Sequence, residues 1–137
     1  MKVPTFGEHD LNEVERGRYQ TLRTSLRPFR HLIEGRSVLD FGASYGLSAV
    51  VLIEMGASDV WGVEPDLARV ERVNRLIADM GLAGRVTLSH LQDTRHLDCP
   101  DGSFRFILAN AVLEHIPQPR EEYIREIWRV LDEDGTL

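Results

Sequence analysis

Four short apolar runs, "SVLDF" (37–41), "DVWGV" (59–63), "RVTLSHL" (85–91) and "FRFILAN" (104–110), constrain this chain most. Each is strand-length and rich in Val, Leu, Ile or aromatics, and most are separated by longer stretches of helical periodicity. Such alternation predicts an α/β fold, a Rossmann-like doubly wound, mostly parallel sheet. With 137 residues, the chain has room for one domain and a modest core.

The intervening segments carry their own stop signals. A helix over 45–55 ends at Gly56 and one over 66–80 ends at Gly81, where Leu67, Val70, Val73, Ile77 and Met80 share a face. A third helix follows Pro119. Its apolar positions are Tyr123, Ile124, Ile127, Trp128 and Leu131, and their spacing predicts that Trp128 packs in the core. Ahead of the sheet, 11–25 reads as a helix, and Pro28 forces a break before 29–33. The chain thus divides into an N-terminal helical cap, 1–36, and a sheet core, 37–137. Arg16, Arg23, Arg27 and Arg30 fall near one face of the cap and read as solvated surface.

A net charge of −6 argues against nucleic acid or an anionic membrane as partner. Cys99 is the only cysteine, so no disulfide framework exists, and its surroundings offer no activating group. No charged-then-apolar leader opens the chain and no long apolar span interrupts it, which predicts the cytoplasm.

The first run continues as "VLDFGASYG", 38–46, placing Asp40 at a strand end before glycines at 42 and 46. A buried carboxylate is costly unless it is paired, so Asp40 either satisfies local groups or awaits a ligand. In a doubly wound sheet the ligand crevice lies at the carboxyl ends of the strands, where the winding reverses. Glycines there let backbone approach a ligand closely. Glu64, 22 positions beyond Gly42, has the spacing of an acceptor for a ribose diol. A nicotinamide dinucleotide prefers G-x-G-x-x-G, whereas this loop lacks the middle glycine, at Ser44, and its Asp40 would repel a pyrophosphate. S-adenosylmethionine carries an ammonium and a sulfonium and no phosphate, so a carboxylate would attract it.

With "VWGVEPD", "LQDTRHLDCPDGSFRFILANAVLEHIPQP" and "IWRVLDEDG" following in order, the chain resembles class I S-adenosylmethionine-dependent methyltransferases, in particular the small-molecule type 11-like group. The resemblance runs from Ser37 to the end. It implies that Asp40, Gly42, Ala43, Ser44 and Gly46 surround the methionine end of S-adenosyl-L-methionine. It further implies that Glu64 and Pro65 hold the ribose, that Asp93 and Thr94 approach the adenine, and that Asn110 lies at the crevice mouth. A small-molecule methyl acceptor is the implied partner.

In "ANAVLEHIPQP", Glu114 and His115 accompany Asn110. Imidazole titrates near ~6.5, so His115 is the candidate catalytic residue, a base for the acceptor's proton, with a loop-holding role as the alternative. Some relatives bind a metal through E-x-x-E-H here, but Ala111 replaces the first glutamate, predicting no metal. Arg105 and the "DED" of 132–134 are further departures from the family pattern. The family sheet has seven strands, so this chain is expected to lack the C-terminal ones. That would leave 104–110 as an exposed fourth strand through which copies could self-associate.

Overall fold

A computed structural model describes residues 11–137. Five parallel strands form one sheet in the order β3-β2-β1-β4-β5: β1 Ser37–Phe41, β2 Asp59–Glu64, β3 Val86–His90, β4 Phe104–Leu108 and β5 Leu131–Thr136. The helices are α1 Glu13–Leu26, α2 Arg30–Ile33, α3 Leu47–Glu54, α4 Leu67–Asp79 and α5 Arg120–Val130. The sheet reverses between β1 and β4, so the crevice expected of a doubly wound fold opens above those two strands.

One face of the sheet carries Val38, Val60, Val86 and Phe106 against α1, α3 and α4. The other carries Leu39, Val63 and Ile107 against α5 and the segment around Leu97. α3 is buried along its whole length from Leu47 to Ile53, because it lies between the sheet and α1. Caps set the helix starts: Asn12 Oδ1 accepts the Glu15 amide at 2.8 Å and Asp66 Oδ1 accepts the Arg69 amide at 3.1 Å. Pro28 falls in a 3₁₀ turn, Arg27–Phe29, that separates α1 from α2. The first ten residues of the expected 1–36 segment lie outside the described residues.

Of the four arginines, Arg16, Arg27 and Arg30 are exposed. Arg23 instead pairs with Glu54 of α3, Nε to Oε2 3.2 Å, and the Tyr19 hydroxyl donates to the same carboxylate. Burial pushes the Glu54 carboxyl up to about 7.

Three expectations are corrected. Trp128 is 71% exposed and Ile124 is also exposed, because α5 presents Tyr123, Glu126, Ile127 and Val130 to the sheet. Leu67 is exposed at the start of α4, while Val70, Val73 and Ile77 are buried as expected. Lastly, 104–110 is not an edge. Leu131, assigned above to the helix, begins a fifth strand that pairs with Phe104 and Phe106, bulging over 132–135 between those contacts. The strand follows α5 with no intervening residue.

A buried clamp ties α5 to the connection between β3 and β4. Glu126 accepts the Leu97 amide at 2.7 Å and the Arg129 guanidinium. Arg129 also donates to the carbonyls of Cys99 and Leu97 at 3.0 and 2.9 Å and to Asp101 at 2.7 Å. Glu126→Ala is expected to cost about 1–2 kcal/mol, at the low end for a buried pair because Arg129 keeps three other acceptors. Arg129 holds the Glu126 carboxyl below its ordinary 4.5, so this contribution is present above that pH and is lost as pH falls. Urea midpoints at pH 7 and pH 3 check both statements, and an unchanged midpoint at pH 7 would refute the clamp.

Candidate cofactor and active site

The loop after β1 is built from residues held at positive φ: Gly42 at +80°, Ser44 at +48° and Gly46 at +81°. The Gly42 and Ala43 amides donate to the Val63 carbonyl at 3.0 and 3.1 Å, which pins the loop across the end of β2. A Cβ at residue 42 would sit 2.5 Å from the Val112 side chain, so only glycine lets the segment after β4 close on the loop. Ser44, at the place of the usual middle glycine, adopts a glycine-like conformation. Its strain is offset by its amide, which donates to Glu64 Oε2 at 2.9 Å.

Asp40 and Glu64 end adjacent strands, 1% and 4% exposed. Asp40 lies under the loop, where Oδ2 accepts the Ser48 hydroxyl at 2.6 Å. Burial pushes its carboxyl from 3.8 up to about 7, the Ser48 hydrogen bond opposes that rise, and the Glu64 charge adds to it. Glu64 Oε1 accepts the Asp66 amide at 3.2 Å, and Arg69 approaches it at 3.8 Å while covering the Tyr45 ring at 4.8 Å. Each Glu64 oxygen has two lone pairs, so one backbone amide apiece leaves acceptor capacity for a diol. Pro65 is exposed, and His90 Nε2 lies 3.0 Å from its carbonyl.

Asp93 stands apart from this pair, engaged by Arg95. Its Oδ1 accepts the Arg95 amide and Nε at 3.0 and 2.9 Å, and its Oδ2 accepts a terminal nitrogen at 2.7 Å. These bonds hold the Asp93 carboxyl well below the usual carboxylate range. Arg95 also reaches Glu122 of α5 at 3.0 Å. Thr94 is half-buried beside it. Asn110 is exposed just beyond β4, and Ala111 follows at a φ of +52°. His115 ends a short 3₁₀ turn, Leu113–His115, with its side chain 77% exposed and Nε2 3.9 Å from Glu114.

Sequence reasoning missed Ser48, Val112 and Arg95. Ser48 left a signal, as the lone polar residue in the apolar helix "LSAVVLI". Val112 and Arg95 left none, because their partners are fixed by loop geometry.

A phosphate-free nucleoside cofactor with a cationic end suits this donor set: two buried carboxylates, a cradle that a Cβ would fill and, among the described residues, Arg69 as the cation beside Glu64 and Tyr45. The fold and the site together define a nucleoside-cofactor-binding α/β protein of the class I type. The chain belongs to the methyltransferase domain family, whose model matches residues 38–135 and whose methyl donor is S-adenosylmethionine. It is 30% identical over 95 residues to a probable chloroplastic tocopherol O-methyltransferase of Oryza sativa subsp. japonica, covering 69% of this chain and 26% of that protein. It is 31% identical over 113 residues to an arsenite methyltransferase of Aquipseudomonas alcaligenes, covering 77% of this chain and 32% of that one. The chain thus spans about a third or less of either relative. Among solved structures, the [4+2]-cyclase SpnF superposes with a TM-score of 0.73 at 27% identity, over 82% of this chain and 40% of that one.

Proposed function

We propose that this protein transfers a methyl group from S-adenosylmethionine to a small-molecule acceptor, in the cytoplasm. The observation that carries the reading is the buried Asp40 and Glu64 pair flanking the positive-φ loop at the sheet's reversal, an arrangement that suits a cation and a diol and opposes a pyrophosphate. The two relatives, named for tocopherol and arsenite, support a small acceptor.

When bound, the donor supplies a methyl carbon already activated by its sulfonium. Glu64 accepts the ribose hydroxyls while keeping its backbone bonds. Asp40 supplies negative potential beneath the methionine end, and Asn110 borders the mouth. Asp93 and Thr94 border the adenine end, with Asp93 keeping Arg95 as its second partner. His115 takes the acceptor's proton where the acceptor atom must lose one, and otherwise the protein aligns and desolvates the reactants.

Calorimetric titration with S-adenosylmethionine, its demethylated product and NAD tests the reading. The first two should bind and NAD should not; the reverse order would overturn it. SpnF shows that the fold also serves a cyclase, so conversion of the donor to its demethylated product in an acceptor screen is the second readout. Donor that binds and remains intact with every acceptor would favour a binding module. His115→Asn should leave the donor's Kd unchanged and lower turnover on a protic acceptor roughly a hundredfold, the lower range for general-base work. Unchanged turnover would assign His115 to the loop alone.

A further inference from the structure

A cavity of about 310 Å³ lies between the cap and the outer half of the sheet. Leu26 and Phe29 wall it on the cap side, Phe106 and Leu108 on β4, and Leu113 on the loop that follows. Its volume is at the lower end for small-molecule sites, which run from roughly 300 to 1,000 Å³. Among the described residues no charged or titratable side chain lines it; Thr136, beside Leu137, brings the one polar side chain. Phe29 and Phe106 present tilted rings with centroids 6.5 Å apart.

Its position relates it to the donor. Leu108 is the register partner of Asp40 across the β1–β4 ladder, and Val112, next to Leu113, closes on Gly42. The cavity therefore adjoins the methionine end of the proposed cofactor site. The ribose and adenine residues, Glu64 and Asp93, belong to β2 and to the connection after β3, on the other side of β1.

We propose that this cavity seats the methyl acceptor, and that the acceptor is a neutral, lipophilic, ring-bearing molecule whose nucleophilic atom lies at the mouth near Asn110. The inference rests on the methyltransferase reading and narrows its substrate class. A carboxylate or ammonium on the buried part would lose its water with no charged side chain among the described lining residues to replace it, which selects against amino acids and small ions. Two tilted rings offer edge and face contacts to a third ring.

The test uses the purified chain and the uncharged fluorescent probe N-phenyl-1-naphthylamine. Saturable binding is expected at about one probe per chain. Neutral phenols should displace the probe at least tenfold better than benzoate or benzylammonium, which carry the same ring with a charge. Phe29→Asp and Leu113→Asn, both at partly exposed positions, should each weaken the probe at least tenfold, and Phe29→Leu should retain it. The Kd for S-adenosylmethionine should stay within twofold in all three, which also verifies folding. Loss of S-adenosylmethionine binding in the unmodified protein with the probe retained would sink the methyltransferase reading and leave the cavity standing. No saturable probe binding, or equal displacement by charged rings, would overturn the proposal. So would probe affinity that falls as light scattering shows dimers forming, which would assign the cavity to a second copy of the chain.

Discussion

Replacing Asp40 by Asn is expected to make the protein more stable and the donor site weaker. Above pH 7 the carboxylate is ionised in both folded and unfolded chains, and the folded one carries the desolvation cost. Below about 7 the folded chain takes up a proton that the unfolded chain, at 3.8, does not bind, so the Asp40 contribution favours folding increasingly as pH falls toward 4. Asn removes this dependence and can still accept from Ser48. At pH 8 the variant should gain roughly 2–3 kcal/mol, or about 5–10 °C in melting temperature. The same change removes the charge proposed to face the sulfonium and ammonium, and should weaken S-adenosylmethionine about tenfold or more. In the unmodified protein that affinity should fall by up to about tenfold per pH unit below 7, and in the variant it should be flat. Melting curves and calorimetry at pH 6, 7 and 8 check all three statements. A variant that melts lower at pH 8, or binds donor as before, would remove Asp40 from the role given to it.

The second large effect is at Glu64. Glu64→Ala removes the proposed acceptor for the ribose diol and releases the Ser44 and Asp66 amides. Hydrogen bonds to a charged group contribute roughly 1.5–3 kcal/mol, so donor affinity should drop by about one to two powers of ten. The Ser44 amide also offsets a left-handed backbone, so stability should fall by about 1 kcal/mol as the loop relaxes. Glu64→Gln separates the two effects, since its single carbonyl can serve one amide but not two and a diol. A folded Glu64→Ala protein with an unchanged dissociation constant would refute the ribose assignment.

Both carboxylates were legible as candidates, because a lone carboxylate at the end of an apolar strand has few inexpensive explanations, and both are buried there. β1 was equally legible: its run matches the strand residue for residue, since a strand covered on both faces needs continuous apolar character. β5 was not. "LDEDGT" is poor in strand formers, and it becomes a strand because β4 offers it unpaired backbone groups at Phe104 and Phe106. Trp128 misled for a related reason. Apolar residues at 123, 124, 127 and 128 cover a broad arc of α5, and periodicity alone does not say which part of the arc meets the sheet. The neighbours settle it: Glu126, a charged residue, is buried because Arg129 and the Leu97 amide await it. Asp93 was read as a candidate for the adenine end without its partner Arg95, because two side chains two positions apart give no sign in sequence that they will pair.

The absence of any residue between α5 and β5 turns that junction into a crank. Through Glu122, Glu126 and Arg129 the helix grips the connection from 93 to 101, and through Val130 it continues straight into the outer strand. A tilt of α5 would therefore bear on the 93–101 connection and on β5 together. For anyone splicing this domain, the bond between Val130 and Leu131 is the wrong place for a tag, a hinge or new termini, since residues added there would separate the helix that holds 93–101 from the strand that pairs with β4.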